Sequence, residues 1–242
     1  MAINRVAASR GFGWYAEGWS AFREAMGSWV LAAVGYLLIM LVLNFLPLLG
    51  PIVGAMIGPG LLAGFLVMAR AARGAEEVRA GMLFRGLSNG DTRGPLLVLG
   101  AVALAGTLLA GLILVYTSTG EIAPGGAGTG TPQTGGAMPA ASASLGGIIG
   151  AVLVALLVTF ALLFAIPLVT FQDMDPATAM RQSFMASIRN LAPVLLFLVL
   201  YLILGFIAMI PVGLGFLVLL PVGAAAAYQG YREIFPEPAP AD

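Results

Sequence analysis

Residues 151–171 read AVLVALLVTFALLFAIPLVTF, a stretch without a single charge in which fourteen side chains are Leu, Ile, Val or Phe. A helix needs about 20 residues to cross a hydrocarbon core. At about −0.3 to −0.6 kcal/mol per large apolar residue, this stretch favours insertion by roughly 4–8 kcal/mol as an upper bound. One charge at its centre costs about 3 kcal/mol, and none is there to subtract. The segment belongs in a bilayer.

Working outward, five more apolar stretches have comparable length. The six spans are expected near 29–47, 51–69, 95–117, 147–171, 191–210 and 212–230. The bland alternative, buried helices of a soluble protein, fits poorly because uncharged runs of this length are rare there. Composition agrees. The chain is 60% hydrophobic and 9% charged, against roughly 25% charged in a soluble domain.

The eleven cationic residues are all arginine: Arg5, Arg10, Arg23, Arg70, Arg73, Arg79, Arg85, Arg93, Arg181, Arg189 and Arg232. They lie in residues 1–28, 70–94, 172–190 and 231–242, which share one side of six crossings. The opposite side holds the 48–50 turn, the 118–146 loop and the turn near Pro211, with Glu121 as its one charge. The positive-inside rule then predicts both termini in the cytoplasm. The interleaved charges and aromatics of residues 1–28 do not read as a cleavable signal. The Arg, Ala and Gly bias points weakly to a GC-rich bacterial genome.

The predicted organisation is one membrane domain over 1–242. It comprises an interfacial segment (1–28), spans one to three (29–117), a linker (118–146), spans four to six (147–230) and a cytoplasmic tail (231–242). The linker is mostly Gly, Ala, Thr, Ser and Pro. That composition cannot bury enough surface to offset its ordering entropy, so a flexible periplasmic connection is expected, with a substrate lid as the competing reading.

The fold class expected is all-α, a polytopic membrane protein of six transmembrane helices in three hairpin units with cytoplasmic interfacial helices. Each unit would be an amphipathic segment, a span, a turn and a returning span with proline. Phe22 to Pro47 is 25 positions and Phe184 to Pro211 is 27; Pro59 to Arg70 and Pro221 to Arg232 are both 11. The middle copy, with Phe84 and Pro167, is looser. Tyr15, Trp19, Phe22, Met26 and Trp29 form one helical stripe suited to the headgroup region. In the third copy Asp175 can cap and Pro176 suits a first helical turn. Met180, Phe184 and Ile188 would then face the membrane and Arg181, Gln182 and Arg189 water.

Three stretches carry a resemblance. Gly13-Trp14 with Gly18-Trp19-Ser20-Ala21-Phe22, the hairpin Leu46-Pro47-Leu48-Leu49-Gly50-Pro51, and Ala179-Met180-Arg181-Gln182-Ser183-Phe184 with Arg189-Asn190 look like a family of uncharacterised proteobacterial six-span inner-membrane proteins. That family is similar in layout to the membrane domain of some glycerophosphodiester phosphodiesterases. The resemblance implies a six-helix bundle. It transfers no catalytic residue, and the catalytic domain of those phosphodiesterases has no counterpart here.

Chemistry is sparse. With no Cys and no His, disulfides, thiolate or imidazole metal sites and His acid/base chemistry are excluded, and no cofactor is implied. A net charge of zero gives nucleic acid no attraction. Coupled carriers place ionisable groups inside the membrane, and the predicted spans have none. Asn44 reads as an interhelical hydrogen bond or headgroup contact. Pro59, Pro167 and Pro221 are candidate kinks, marking either a binding site or packing adjustments. Gly50, Gly54 and Gly58, four apart, are a candidate helix-packing face, on which Gly54→Leu is expected to cost more than Leu61→Ala. Glu76, Glu77, Asp91, Asp173 and Asp175 match no metal-loop spacing and read as solvated carboxylates. Arg70, Arg73, Arg79 and Arg85 are candidate anionic-lipid contacts, competing with plain topogenic use. The expected function is therefore a non-catalytic integral inner-membrane protein, an interaction or membrane-organising component. Its partners would be the lipid bilayer and a membrane protein, with no nucleic acid. The alternative is a permease or flippase for a small neutral or lipidic substrate, which would need a hydrated cavity reaching the midplane.

Overall fold

Inside hydrocarbon each backbone N–H and C=O must find its partner within the protein, which for a spanning segment means a helix or a closed barrel. The computed structural model describes residues 3–119 and 144–236, and among the described residues the regular structure is entirely helical. The helices are α1 (Arg10–Glu24), α2 (Met26–Asn44), α3 (Leu49–Arg73), α4 (Arg85–Ser88, after a 3₁₀ turn Ala80–Phe84), α5 (Gly90–Thr119), α6 (Leu145–Leu162), α7 (Ala165–Gln172), α8 (Pro176–Arg189), α9 (Leu191–Met209) and α10 (Phe216–Ile234). Five helical segments are long and apolar enough to cross a membrane: Met26–Asn44, Leu49–Arg73, Gly90–Ser118, Leu145–Gln172 and Leu191–Met209. Their outward faces carry Leu31, Leu38, Leu108, Leu112, Leu202 and Phe206, all well exposed. The chain is a multi-pass membrane protein. Most of the 118–146 linker falls outside the described residues.

The long helices pack antiparallel in sequence-adjacent pairs. Along α2 and α3, Leu43 backs onto Gly50 and Trp29 stacks on Phe65, with 6.3 Å between ring centroids. Along α5 and α6, Thr117 meets Gly147 and Val158 meets Gly106. Along α9 and α10, Ala208 meets Gly215 and Tyr201 meets Gly223. The shorter helices lie across other pairs: α1 on α9 and α10, the Ala80–Ser88 segment on α3, and α8 on α6 and α7. The core is accordingly rich in Ala and Gly, and its large members are Trp14, Trp29, Phe65, Phe164 and Phe235.

The aromatic stripe predicted from Tyr15 to Trp29 is not one stripe. Ala25 (φ −144°, ψ 45°) breaks the helix between Glu24 and Met26, so the register restarts. Trp19 and Met26 are exposed, whereas the buried face of α1 is Gly11, Trp14, Gly18, Ala21 and Phe22. Gly11 lies against the Pro193 carbonyl and Gly18 against that of Val222, each 2.7 Å from where a Cβ would stand, which lets α1 sink onto α9 and α10.

The glycine face of α3 also shifts. A Cβ on Gly58 would meet nothing within 4 Å, and one on Gly54 would make ordinary contacts with Met40 and Leu43 at 3.6 and 3.7 Å. Close approach occurs instead at Gly50, against the Leu43 backbone, at Gly60, against Leu87, and at Gly64, against the Leu83 backbone. The i,i+4 spacing of Gly50, Gly54 and Gly58 identifies a small-residue face without saying which members meet a neighbour. With Leu61 fully buried, the expected ranking of Gly54→Leu above Leu61→Ala is not supported by this geometry.

Of the three candidate kinks, α3 and α10 continue as helices through Pro59 and Pro221. The interruption near Pro167 lies one turn earlier, at Leu163-Phe164. Pro167 has no N–H for the Leu163 carbonyl, and in the turn before it a side chain replaces the bond from the Phe164 N–H to the Phe160 carbonyl. The Phe164 N–H donates to Ser183 Oγ at 2.9 Å, and that hydroxyl donates to the Phe160 carbonyl at 2.7 Å. Ser187 adds a second donor to Phe160 at 3.3 Å. A hydroxyl from α8 thus stands between two groups that would bond each other in an unbroken helix.

On α8 the cap is as predicted: Asp175 accepts from the Thr178 N–H at 3.0 Å, with Pro176 in the first turn. The face that packs is Ala179, Ser183, Ala186 and Ser187. Gln182, expected to face water, is half-buried. Its Oε1 is enclosed and accepts no hydrogen bond among the described residues.

Candidate functional site

Charged and polar side chains gather at the arginine-bearing end of the bundle, in two groups with different jobs. The first is a strap. Arg10 binds Glu17 at 2.5 Å and Glu233 more closely, while Trp14 Nε1 donates to Glu233 at 3.0 Å. Arg73 donates to Gln229 Oε1 at 2.6 Å and lies 3.7 Å from Glu17. Before α1, the Asn4 N–H donates to the Ile234 carbonyl at 2.9 Å. Buried Asn190 accepts from the Val6 N–H at 2.9 Å and donates to the Asn4 carbonyl at 3.0 Å. The N-terminal segment, α3, α8 and the end of α10 are thereby tied together. Burial alone would raise the Glu233 carboxyl, but the hydrogen bonds from Arg10 and Trp14 outweigh it and hold the group below the ordinary glutamate range.

The second group forms a recess of about 550 Å³ between α3, α4, α5 and α7. Local chain signals build it. The last turn of α3 presents Arg70, and the helix ends with the Gly74 N–H bonded to the Arg70 carbonyl and the Glu76 N–H to that of Ala71. Ala75 occupies the left-handed position (φ 55°) where glycine is usual in such an end. This turn brings Glu76 back beside the recess. The Ala80–Ser88 segment then crosses α3 where Gly60 and Gly64 leave room for Leu87 and Leu83, and so brings Arg85 to the recess. Asn89 starts α5: its carbonyl accepts the Arg93 N–H at 3.0 Å and its Oδ1 the Asp91 N–H at 3.2 Å. Ser88, Asn89, Thr92 and Thr170 supply further polar lining, and Val67 and Phe171 an apolar part. Arg70 sits over the Phe171 ring, 5.2 Å from its centroid.

The structure divides the four candidate lipid-contact arginines. Arg70 and Arg85 share the recess. Arg73 belongs to the strap, and exposed Arg79 pairs with Glu77 at 2.5 Å. Sequence reasoning missed Ser88, Asn89, Thr92, Thr170 and Phe171. The Ser88-Asn89-Gly90-Asp91 run ahead of an apolar stretch is a helix-start signal that could have drawn attention to the first three. Among the carboxylates, Asp91 and Asp173 line a smaller neighbouring recess, and no three gather to hold a metal among the described residues.

A third space lies within the bundle. It measures about 370 Å³ and is bounded by Pro59, Gly58, Leu62, Phe65, Phe197 and Leu198, with Tyr36 and Tyr201 as its phenolic members. Its lining is overwhelmingly apolar. Asn44 stands at the other end of the bundle, beside Gly50, Pro51, Val212 and Gly213.

No protein-family model, curated protein or solved structure matches this chain.

Proposed function

We propose that the chain is a six-span protein of the bacterial inner membrane, both termini cytoplasmic, that acts without catalysis as an interaction or membrane-organising component. Its three antiparallel pairs would be the three hairpin units, in the layout that the resembled proteobacterial family implies. The observation that carries this reading is the strap. Asn4 and Arg10 are hydrogen-bonded to Ile234 and Glu233, which supports both ends lying on one side and hence an even number of crossings. The sixth crossing would be α10, nineteen residues long, or about 28 Å at 1.5 Å per residue. It is less apolar than the other five because Gln229, Arg232 and Glu233 lie in its last turns. A helix buried among others need not match lipid.

Support for a non-catalytic role comes from how the polar groups are engaged. Arg10, Arg73, Glu233, Gln229 and Asn190 bind one another or backbone, holding helices together. The permease or flippase alternative draws on the space beside Pro59, whose Tyr36 and Tyr201 give it two polar points in an apolar wall. Reconstitution into vesicles with a fluorescent phospholipid separates the two. A membrane-organising protein leaves the inner-leaflet lipid protected from dithionite at the rate of empty vesicles. Accelerated loss of that protection, abolished by filling the space with Gly58→Leu, where a side chain has open room, would establish the flippase instead.

A further inference from the structure

We propose that the recess between α3, α4, α5 and α7 binds the phosphodiester headgroup of an acidic phospholipid, with Arg70 and Arg85 as its two cationic ligands. This rests on the membrane-organising reading and gives it a ligand. Both guanidiniums line one space, and among the described residues neither forms an ion pair; Arg70 has only the face of Phe171. Cations without carboxylate partners at a recess offer a fork geometry that fits phosphate oxygens. Charge then selects the class. Two guanidiniums and the Glu76 carboxylate leave one net positive charge, which matches a singly charged phosphodiester better than a doubly charged monoester. The lining selects the source. Val67 and Phe171 form an apolar part continuous with the apolar spans α3 and α7, while Ser88 and Asn89 are exposed. A ligand with a polar head and an acyl tail uses both sides; a free phosphate uses one.

The test titrates the full chain in detergent, stripped of native lipid, with four probes followed by native mass spectrometry: short-chain phosphatidylglycerol, short-chain phosphatidylcholine, glycerophosphoglycerol and inorganic phosphate. Phosphatidylglycerol should bind best. Arg85→Gln and Arg70→Gln should each weaken it about fivefold, the effect of one arginine near a charged lipid surface. Glu76→Gln should strengthen it, a gain that a merely structural role would not produce. Arg79→Gln, paired outside the recess, should change nothing. Equal binding of phosphatidylcholine, or unchanged phosphatidylglycerol binding in Arg85→Gln, overturns the site. Glycerophosphoglycerol or phosphate binding as tightly as the lipid overturns the lipid source and makes the ligand a soluble phosphate. Should Arg70→Gln fail to fold, Arg85→Gln and Glu76→Gln still decide. A chain that scrambles lipid yet keeps the Arg85-dependent binding refutes only the organising role.

Discussion

Ser183 bridges the break between α6 and α7. Its hydroxyl both receives the Phe164 N–H and donates to the Phe160 carbonyl, fully buried. Ser183→Ala strands the N–H in an apolar interior, a loss of about 1–3 kcal/mol. Ser187→Ala removes only a longer bond to a carbonyl and should cost less. Unfolding titrations in mixed micelles with dodecyl sulfate should rank the two in that order, and a Ser183→Ala loss below about 0.5 kcal/mol would contradict the bridging role. Nothing local announces this residue. Pro167 signals that a carbonyl is freed nearby, but the group that fills the break comes from sixteen residues further on, and only the packing of α8 on α6 and α7 reveals it. Gly58 and Gly64 make the same point: they look alike in sequence, yet one faces open space and the other the Leu83 backbone.

Among the elements, those whose start or end depends on neighbours in sequence were legible. Asp175-Pro176 opens α8 because capping needs only the next three residues. Residues 1–28 were readable as amphipathic but not as a helix clamped on α9 and α10, because that contact spans most of the chain and Ala25 resets the register. The clamp has a pH dependence. Glu233 is held below its ordinary value, so its contribution is present above the unfolded value of about 4.3 and is lost as pH falls through the lowered one. Protection of α1 amides, measured relative to intrinsic exchange at each pH, should therefore be constant above the ordinary glutamate value of about 4.3 and fall only below it. In Glu233→Gln it should already be lower at pH 7, and the acid step should diminish. Unchanged protection of α1 in that variant would mean that Gly11, Gly18 and Trp14 packing alone holds the helix.

At the scale of the whole molecule, the bilayer makes the sequence easy to read, since long uncharged runs have few other uses. Five spans followed from apolarity alone. The last helix, α10, is harder: its Ala224-Ala225-Ala226-Ala227 run is mostly buried against other helices, so lipid does not dictate its composition. The recess was illegible because it joins the ends of α3, α4, α5 and α7. The central claim is six crossings with the arginine-bearing end in the cytoplasm, and cysteine accessibility tests it without background because the chain has no cysteine. In cells with an intact inner membrane, an impermeant maleimide added from the periplasmic side should label Thr129→Cys, between α5 and α6. Ser88→Cys and Asp242→Cys should react only after the membrane is permeabilised. Labelling of Ser88→Cys in intact cells would contradict the orientation, and labelling of Asp242→Cys alongside a protected Ser88→Cys would reduce the crossings to five.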